Sequence, residues 1–221
     1  MVSTGFCSWR RTLPFLLACG VFTGVCVAGK HFVMPEAHPA KSYPAHDEHT
    51  NEGVTLGLDP YDLGEKTNIF SVHYHDVGFL PIFVVITNDG NQPISLVASK
   101  AELVTYDRSK IFPATREDIY RRISRPIGEV SPSPLPWPKK TKGSVPKDVQ
   151  DEVENSQFAA RAVEPHSTQS GFMFFDVAGI DAPLAGAHFY LTGVRDSKGS
   201  ELMYFEVPLE KYLGASASAT P

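Results

Sequence analysis

Leu80-Pro81-Ile82-Phe83-Val84-Val85-Ile86-Thr87, followed by Asn88-Asp89-Gly90-Asn91, decides the fold of this chain. The first eight residues carry no charge and are rich in β-branched and aromatic side chains, which at this length favours a strand. The run is too apolar for an exposed strand, so it predicts one lying centrally in a sheet. The four residues after it form a turn cluster, with Gly90 suited to a positive φ.

Further strand signals flank this run. Upstream lie Val54 to Leu58 and Thr67 to His75, the latter with β-branched and aromatic residues. Downstream lie Ile94 to Ala98, Ala101 to Tyr106, Phe158 to Val163, Ser170 to Val177, His188 to Val194 and Glu201 to Val207. Asp196-Ser197-Lys198-Gly199 marks a hairpin turn between the last two, and Tyr190 and Tyr204 are placed to pair across it. In Gly171-Phe172-Met173-Phe174-Phe175, alternation puts Phe172 and Phe174 on one face and Met173 and Phe175 on the other. Both faces are apolar. One is expected against a second sheet, the other beneath a helix or the proline-rich insertion.

About seven or eight strands with turns at regular intervals predict a mainly β fold, an antiparallel β-sandwich. One helix interrupts it. Thr115 is a candidate N-cap, with Asp118 completing a capping box. Glu117 and Asp118 sit in the first turn and Arg121, Arg122 and Arg125 near the end, as the helix dipole prefers. Ile119, Tyr120 and Ile123 form the apolar stripe, and Pro126 stops the helix. Pro126 to Pro146 is proline-rich and bears Trp137, which either packs back on the domain or marks an interaction surface. Lys147 to Ser156 reads as one short polar helix. The insertion thus covers 115–156 of a domain spanning 52–213. Residues 29–51 read as a polar, extended or disordered lead-in, and 214–221 as a disordered tail.

The N-terminus reads as a signal peptide over 1–28. Arg10 and Arg11 precede an uncharged stretch, and Cys26-Val27-Ala28 gives a small-x-small cleavage pattern. Leu16-Leu17-Ala18-Cys19 also resembles a lipobox, which would make Cys19 a lipidated N-terminus. The expected location is therefore periplasmic or secreted, with membrane attachment only if the N-terminus is lipidated or uncleaved. All three cysteines, Cys7, Cys19 and Cys26, fall inside this leader. A mature chain without cysteine has neither a disulfide nor a thiolate site, and must rely on its core. The full chain has 20 basic and 25 acidic residues, a net charge of −5. Removing the leader takes away two arginines, leaving −7, which disfavours nucleic acid as a partner.

Pro81-Ile82-Phe83-Val84-Val85-Ile86-Thr87-Asn88-Asp89-Gly90-Asn91-Gln92-Pro93-Ile94-Ser95-Leu96 resembles the second-strand signature of telokin-like, immunoglobulin-like bacterial extracellular domains. In those an apolar strand ends in Asn, a Gly turn follows, and the next strand begins after Pro. Val163-Glu164-Pro165 with Gly171 to Phe175 resembles the same family's approach to a late strand. The resemblance spans Thr67 to Val207. The Tyr204-Phe205-Glu206-Val207-Pro208 ending is also similar to an uncharacterised family of exported bacterial proteins. These likenesses imply an immunoglobulin-like sandwich and bring no catalytic motif.

Chemistry-bearing clusters are few. His73 and His75, alternating in an expected strand, would point to one face and, with His46 and His49, form a candidate zinc or copper site. The bland reading is a half-exposed pair of strand histidines. No Gly-x-Ser-x-Gly elbow, P-loop or dinucleotide fingerprint is present. Asp47, Glu48, Asp176 and Asp181 read as solvated acids. The expected function is a non-enzymatic binding or structural module of the cell envelope, with no required cofactor. Arg121, Arg122 and Trp137 are the candidate surface for another envelope protein. An envelope metal-binding protein built on the four histidines is the alternative.

Overall fold

The computed structural model describes residues 32–62, 64–124 and 145–213. Residues 1–31 with the three cysteines, Arg125, Trp137, most of the proline-rich run and residues 214–221 lie outside these. The described chain is mainly β. Its strands are β1 (Ala45–His49), β2 (Val54–Pro60), β3 (Phe79–Asn88), β4 (Ile94–Ser95), β5 (Lys100–Val104), β6 (Lys110–Ile111), β7 (Ala162–Val163), β8 (Ser167–Asp176), β9 (His188–Thr192) and β10 (Phe205–Pro208). The helices are α1 (Arg116–Ile123) and α2 (Lys147–Ser156). The first sheet has the order β1-β2-β3-β8 and the second β10-β9-β5-β6, with β4-β7 as a separate pair. Every named strand pairing is antiparallel.

LPIFVVIT lies centrally, as its composition predicts. β3 pairs with β2 on one side and with all ten residues of β8 on the other, from Phe79↔Asp176 to Asn88↔Ser167. All of β3 is buried, and its two faces serve different cores. Leu80, Ile82, Val84 and Ile86 join Leu56, Leu103, Phe189, Leu191, Phe205 and Val207 between the two sheets. Phe79, Phe83 and Val85 join Phe70, Tyr74, Ile119, Val153, Phe172 and Phe174 on the opposite side. The molecule therefore has three layers: a helix-bearing cover, the first sheet and the second sheet.

The Thr115 cap forms with both halves of its box, Asp118 N–H donating to Thr115 Oγ1 at 3.2 Å and Thr115 N–H to Asp118 Oδ2 at 3.2 Å. α2 spans the residues read as a helix, but it is not merely polar: Val149, Glu152, Val153 and Ser156 are buried.

Two expectations fail. Thr67 to His75 forms no strand. It folds into 3-10 turns, Glu65–Ile69 and Tyr74–Val77, and Gly78 closes the second turn at φ 79°. Phe70, Tyr74 and Val77 are spaced by four and three, a helical rather than a two-residue period, and all three enter the cover core. The lead-in is likewise ordered from Phe32. Phe32, Met34, Ala37 and Tyr43 pack against the cover core, Ala40 lies within it, and 45–49 form an edge strand. The turn after β3 also differs in detail. The positive φ falls on Gly53, whose backbone meets Gly90, and not on Gly90. Among the described residues there are ten strands rather than the expected seven or eight, three of them only two residues long.

Candidate functional site

The four histidines are not brought together. His46 faces Gly57, which faces Val85 in mid-strand, whereas His49 faces Val54, which faces Asn88 at one end of β3. His73 and His75 lie just before Phe79, at the other end. A ten-residue strand is about 30 Å long, so His49 is a whole sheet length from the pair. Nor do His46 and His49 share a face of β1. His46 Nδ1 lies 2.6 Å from the Tyr43 carbonyl. His49 stacks on Phe205 with ring centres 4.0 Å apart, held between Glu52 at 2.8 Å and Asp47 at 3.3 Å. The Asp47 carboxylate also accepts the backbone N–H of Glu206 at 3.0 Å, so these side chains fasten β1 to the edge of β10. His73 and His75 do line one small cleft, of about 170 Å³, with Asp62 and Asp76. Among the described residues no group of three or more His, Cys, Asp or Glu side chains is placed to hold a metal ion.

The arginine face also divides. Arg122 turns inward: it pairs with Asp176, reaches the Val77 carbonyl at 3.5 Å and lies over the Phe79 ring at 5.4 Å. It fastens α1 to the end of β3 and β8. Arg121 pairs with Asp118 one turn back on its own helix and remains largely exposed.

The outer face of the second sheet is different. Along β5, β9 and β10 the odd-numbered residues Leu103, Phe189, Leu191, Phe205 and Val207 enter the core. Alternation then sends Glu102, Val104, His188, Tyr190, Thr192 and Glu206 outward, all partly exposed. Glu102 and Glu206 both stand directly opposite Tyr190, one on each side. Tyr190 donates its hydroxyl to Glu206 Oε1 at 2.7 Å, and His188 Nδ1 lies 2.9 Å from the same oxygen. This bond first, and partial burial second, push the Tyr190 phenol up to about 12. Glu102 pairs with Lys110 at 2.9 Å. Tyr204, 53% exposed, tilts toward Tyr190 with ring centres 6.2 Å apart. Glu102, Val104, Lys110, Tyr190, Thr192 and Tyr204 line an open groove of about 400 Å³.

A larger hollow of about 710 Å³ lies between β8 and β5, where the insertion leaves and rejoins the sheets. Its β8 wall is already bonded: Ala114 N–H donates to the Phe174 carbonyl at 2.7 Å and Phe158 N–H to the Phe172 carbonyl at 2.9 Å.

The rings of Tyr190 and Tyr204 do meet, as the hairpin predicts, but the register pairs Tyr190 with Glu206, and Tyr204 precedes β10, which starts at Phe205 rather than Glu201. The carboxylate partners of Tyr190 were missed, because Glu102 lies far off in sequence and is brought in only by the β5–β9 register. Glu206 had a usable signal, two residues from Tyr204 on the same expected strand. No family model matches the chain, and neither a curated protein nor a solved structure matches it.

Proposed function

We propose that the chain is an exported, non-enzymatic binding module of the cell envelope, an immunoglobulin-like β-sandwich that binds through the outer face of its second sheet. The charged leader and its small-x-small site support export. Facing antiparallel sheets, between which the chain crosses after β4, before β8 and again before β9, support the sandwich reading. The observation that carries the binding role is the groove around Tyr190 and Tyr204. It presents aromatic, hydroxyl, carboxylate and ammonium groups on a rigid sheet, the composition of a small-ligand surface. Both carboxylates are engaged, Glu206 by the Tyr190 hydroxyl and His188 Nδ1 and Glu102 by Lys110, so the face is fixed before a ligand arrives.

The test is fractionation followed by sedimentation. The chain, expressed with its own leader, is recovered from the envelope and identified by intact mass, with Gly29 expected as the first residue. It is then mixed with washed envelope fragments and pelleted. Most of the chain should pellet, and the Tyr204→Ala variant should stay in solution. A chain that remains in the supernatant, or a variant that pellets equally well, defeats this reading.

A further inference from the structure

We infer that the groove on the second sheet is a saccharide site, and that its ligand is a neutral pyranose oligosaccharide. This inference rests on the binding-module reading above and names its ligand class.

The first argument is chemical. A pyranose ring has an apolar C–H face and a rim of hydroxyls that both donate and accept. It is matched by exposed aromatic rings beside carboxylate, ammonium and hydroxyl groups on one plane. The groove supplies these in register. Tyr204 is half-exposed beside Tyr190, and among the described residues no hydrogen bond holds its hydroxyl. Tyr190 is held edgewise by Glu206, so its ring keeps one orientation before any ligand arrives. Such preorganisation lowers the entropic cost of binding. Glu102 and Lys110 reach the rim from β5 and β6, and Thr192 lines it from β9, the strand that also carries Tyr190.

The second argument is charge. Lys110 is matched by Glu102, and Lys100, outward on the same face opposite Thr192, offsets Glu206. The face then carries no net charge, and a charged polymer would lose hydration there with no net attraction in return. A ligand without charge meets no such penalty.

The third argument concerns the chain's own segments. α1 and α2, which bound the proline-rich run, pack on the far face of the first sheet. Phe32, where the described N-terminus begins, stacks on Phe70 in that same layer. Two sheets separate these points from the groove. The groove's volume, about 400 Å³, falls in the range of roughly 300–1,000 Å³ usual for small-ligand sites.

The test titrates the purified full chain with cellotetraose and with the β-1,4-linked tetramer of N-acetylglucosamine, using calorimetry. A heparin tetrasaccharide serves as the anionic comparison. Binding of at least one neutral tetramer is expected. Tyr204→Ala should weaken it about tenfold or more, the scale of one lost aromatic contact. Glu102→Gln, which keeps the side chain's shape, should weaken it less while leaving the circular dichroism spectrum unchanged. Binding of heparin alone, or neutral-sugar binding that both variants retain in full, overturns the inference. If neither tetramer binds while envelope fragments still carry the chain down in a Tyr204-dependent way, the saccharide inference fails and the binding module stands. If neither happens, both fail.

Discussion

Gly57 and Ala40 fit together only because Gly57 has no side chain: a Cβ there would stand 2.5 Å from the Ala40 carbonyl oxygen and 3.0 Å from its Cα. The contact lets the N-terminal segment cross β2 in mid-strand. Ala40 is pinned there by its N–H, which donates to Thr87 Oγ1 on β3 at 2.9 Å. Gly57→Ala should therefore push residues 32–43 off the sheet. The expected cost is about 1–3 kcal/mol, the usual range for overpacking a filled core. Urea denaturation measures the loss, and limited proteolysis should newly cut before Ala45. Unchanged stability and protection would show that the crossing segment yields without cost.

Glu152 is 3% exposed, yet its carboxylate is fully engaged. It accepts the Ser71 N–H at 2.6 Å, the Ser71 hydroxyl, and the Tyr74 hydroxyl at 3.0 Å. Burial, with the nearby carboxylate charge next, raises the Tyr74 phenol above its ordinary value. α2 is thus tied to the 3-10 turns beside it on the cover. Glu152→Ala should destabilise by about 3 kcal/mol, because it strands buried donors. Glu152→Gln keeps an acceptor for Ser71 and should cost less. Chemical denaturation of both variants decides it, and equal losses would count against the hydrogen-bonding account.

Tyr190 gives a prediction in alkali. Its folded phenol is pushed up to about 12 from an ordinary 10.0, so the fold favours the neutral form. The contribution is fully present below pH 10 and is lost as pH rises through about 12. Tyrosinate absorbance of the native chain minus that of Tyr190→Phe should show one late-titrating group. In Glu206→Gln that group should move back toward 10, since the carboxylate bond is the largest cause. A Tyr190 that titrates normally in the native chain would mean that the bond to Glu206 does not persist in solution.

Much of this architecture could be read from residues alone. The uncharged β-branched run found the central strand, and Thr115 with Asp118 found α1. The two-sided apolarity of Phe172 to Phe175 anticipated a covered second face, now seen with Phe172 and Phe174 in the cover core and Phe175 between the sheets. The lead-in misled because its polarity outweighed a subtler period. Met34, Ala37, Ala40 and Tyr43 recur every third residue among prolines, the repeat of a polyproline-like ribbon with one buried edge. Gly57 in mid-strand was a second clue, since such glycines often admit a neighbouring backbone. His73 and His75 misled for another reason. Alternation implies a shared face only in a strand, and Phe70, Tyr74 and Val77 had already set a helical period there. The groove residues were hidden because cross-strand neighbours depend on register, which no local pattern supplies.

The long β3–β8 ladder also governs when the molecule can exist at all. Its partners lie roughly 80 to 100 residues apart in the chain, so the most apolar strand is made early and must wait for its mate. At roughly 5–20 residues per second of synthesis, the wait is about 4–20 seconds. Throughout it LPIFVVIT presents an uncharged edge still without β8, the kind of strand edge that aggregates. A holding factor for that interval, or a route that keeps the chain extended until Asp176 has emerged, would shorten that exposure.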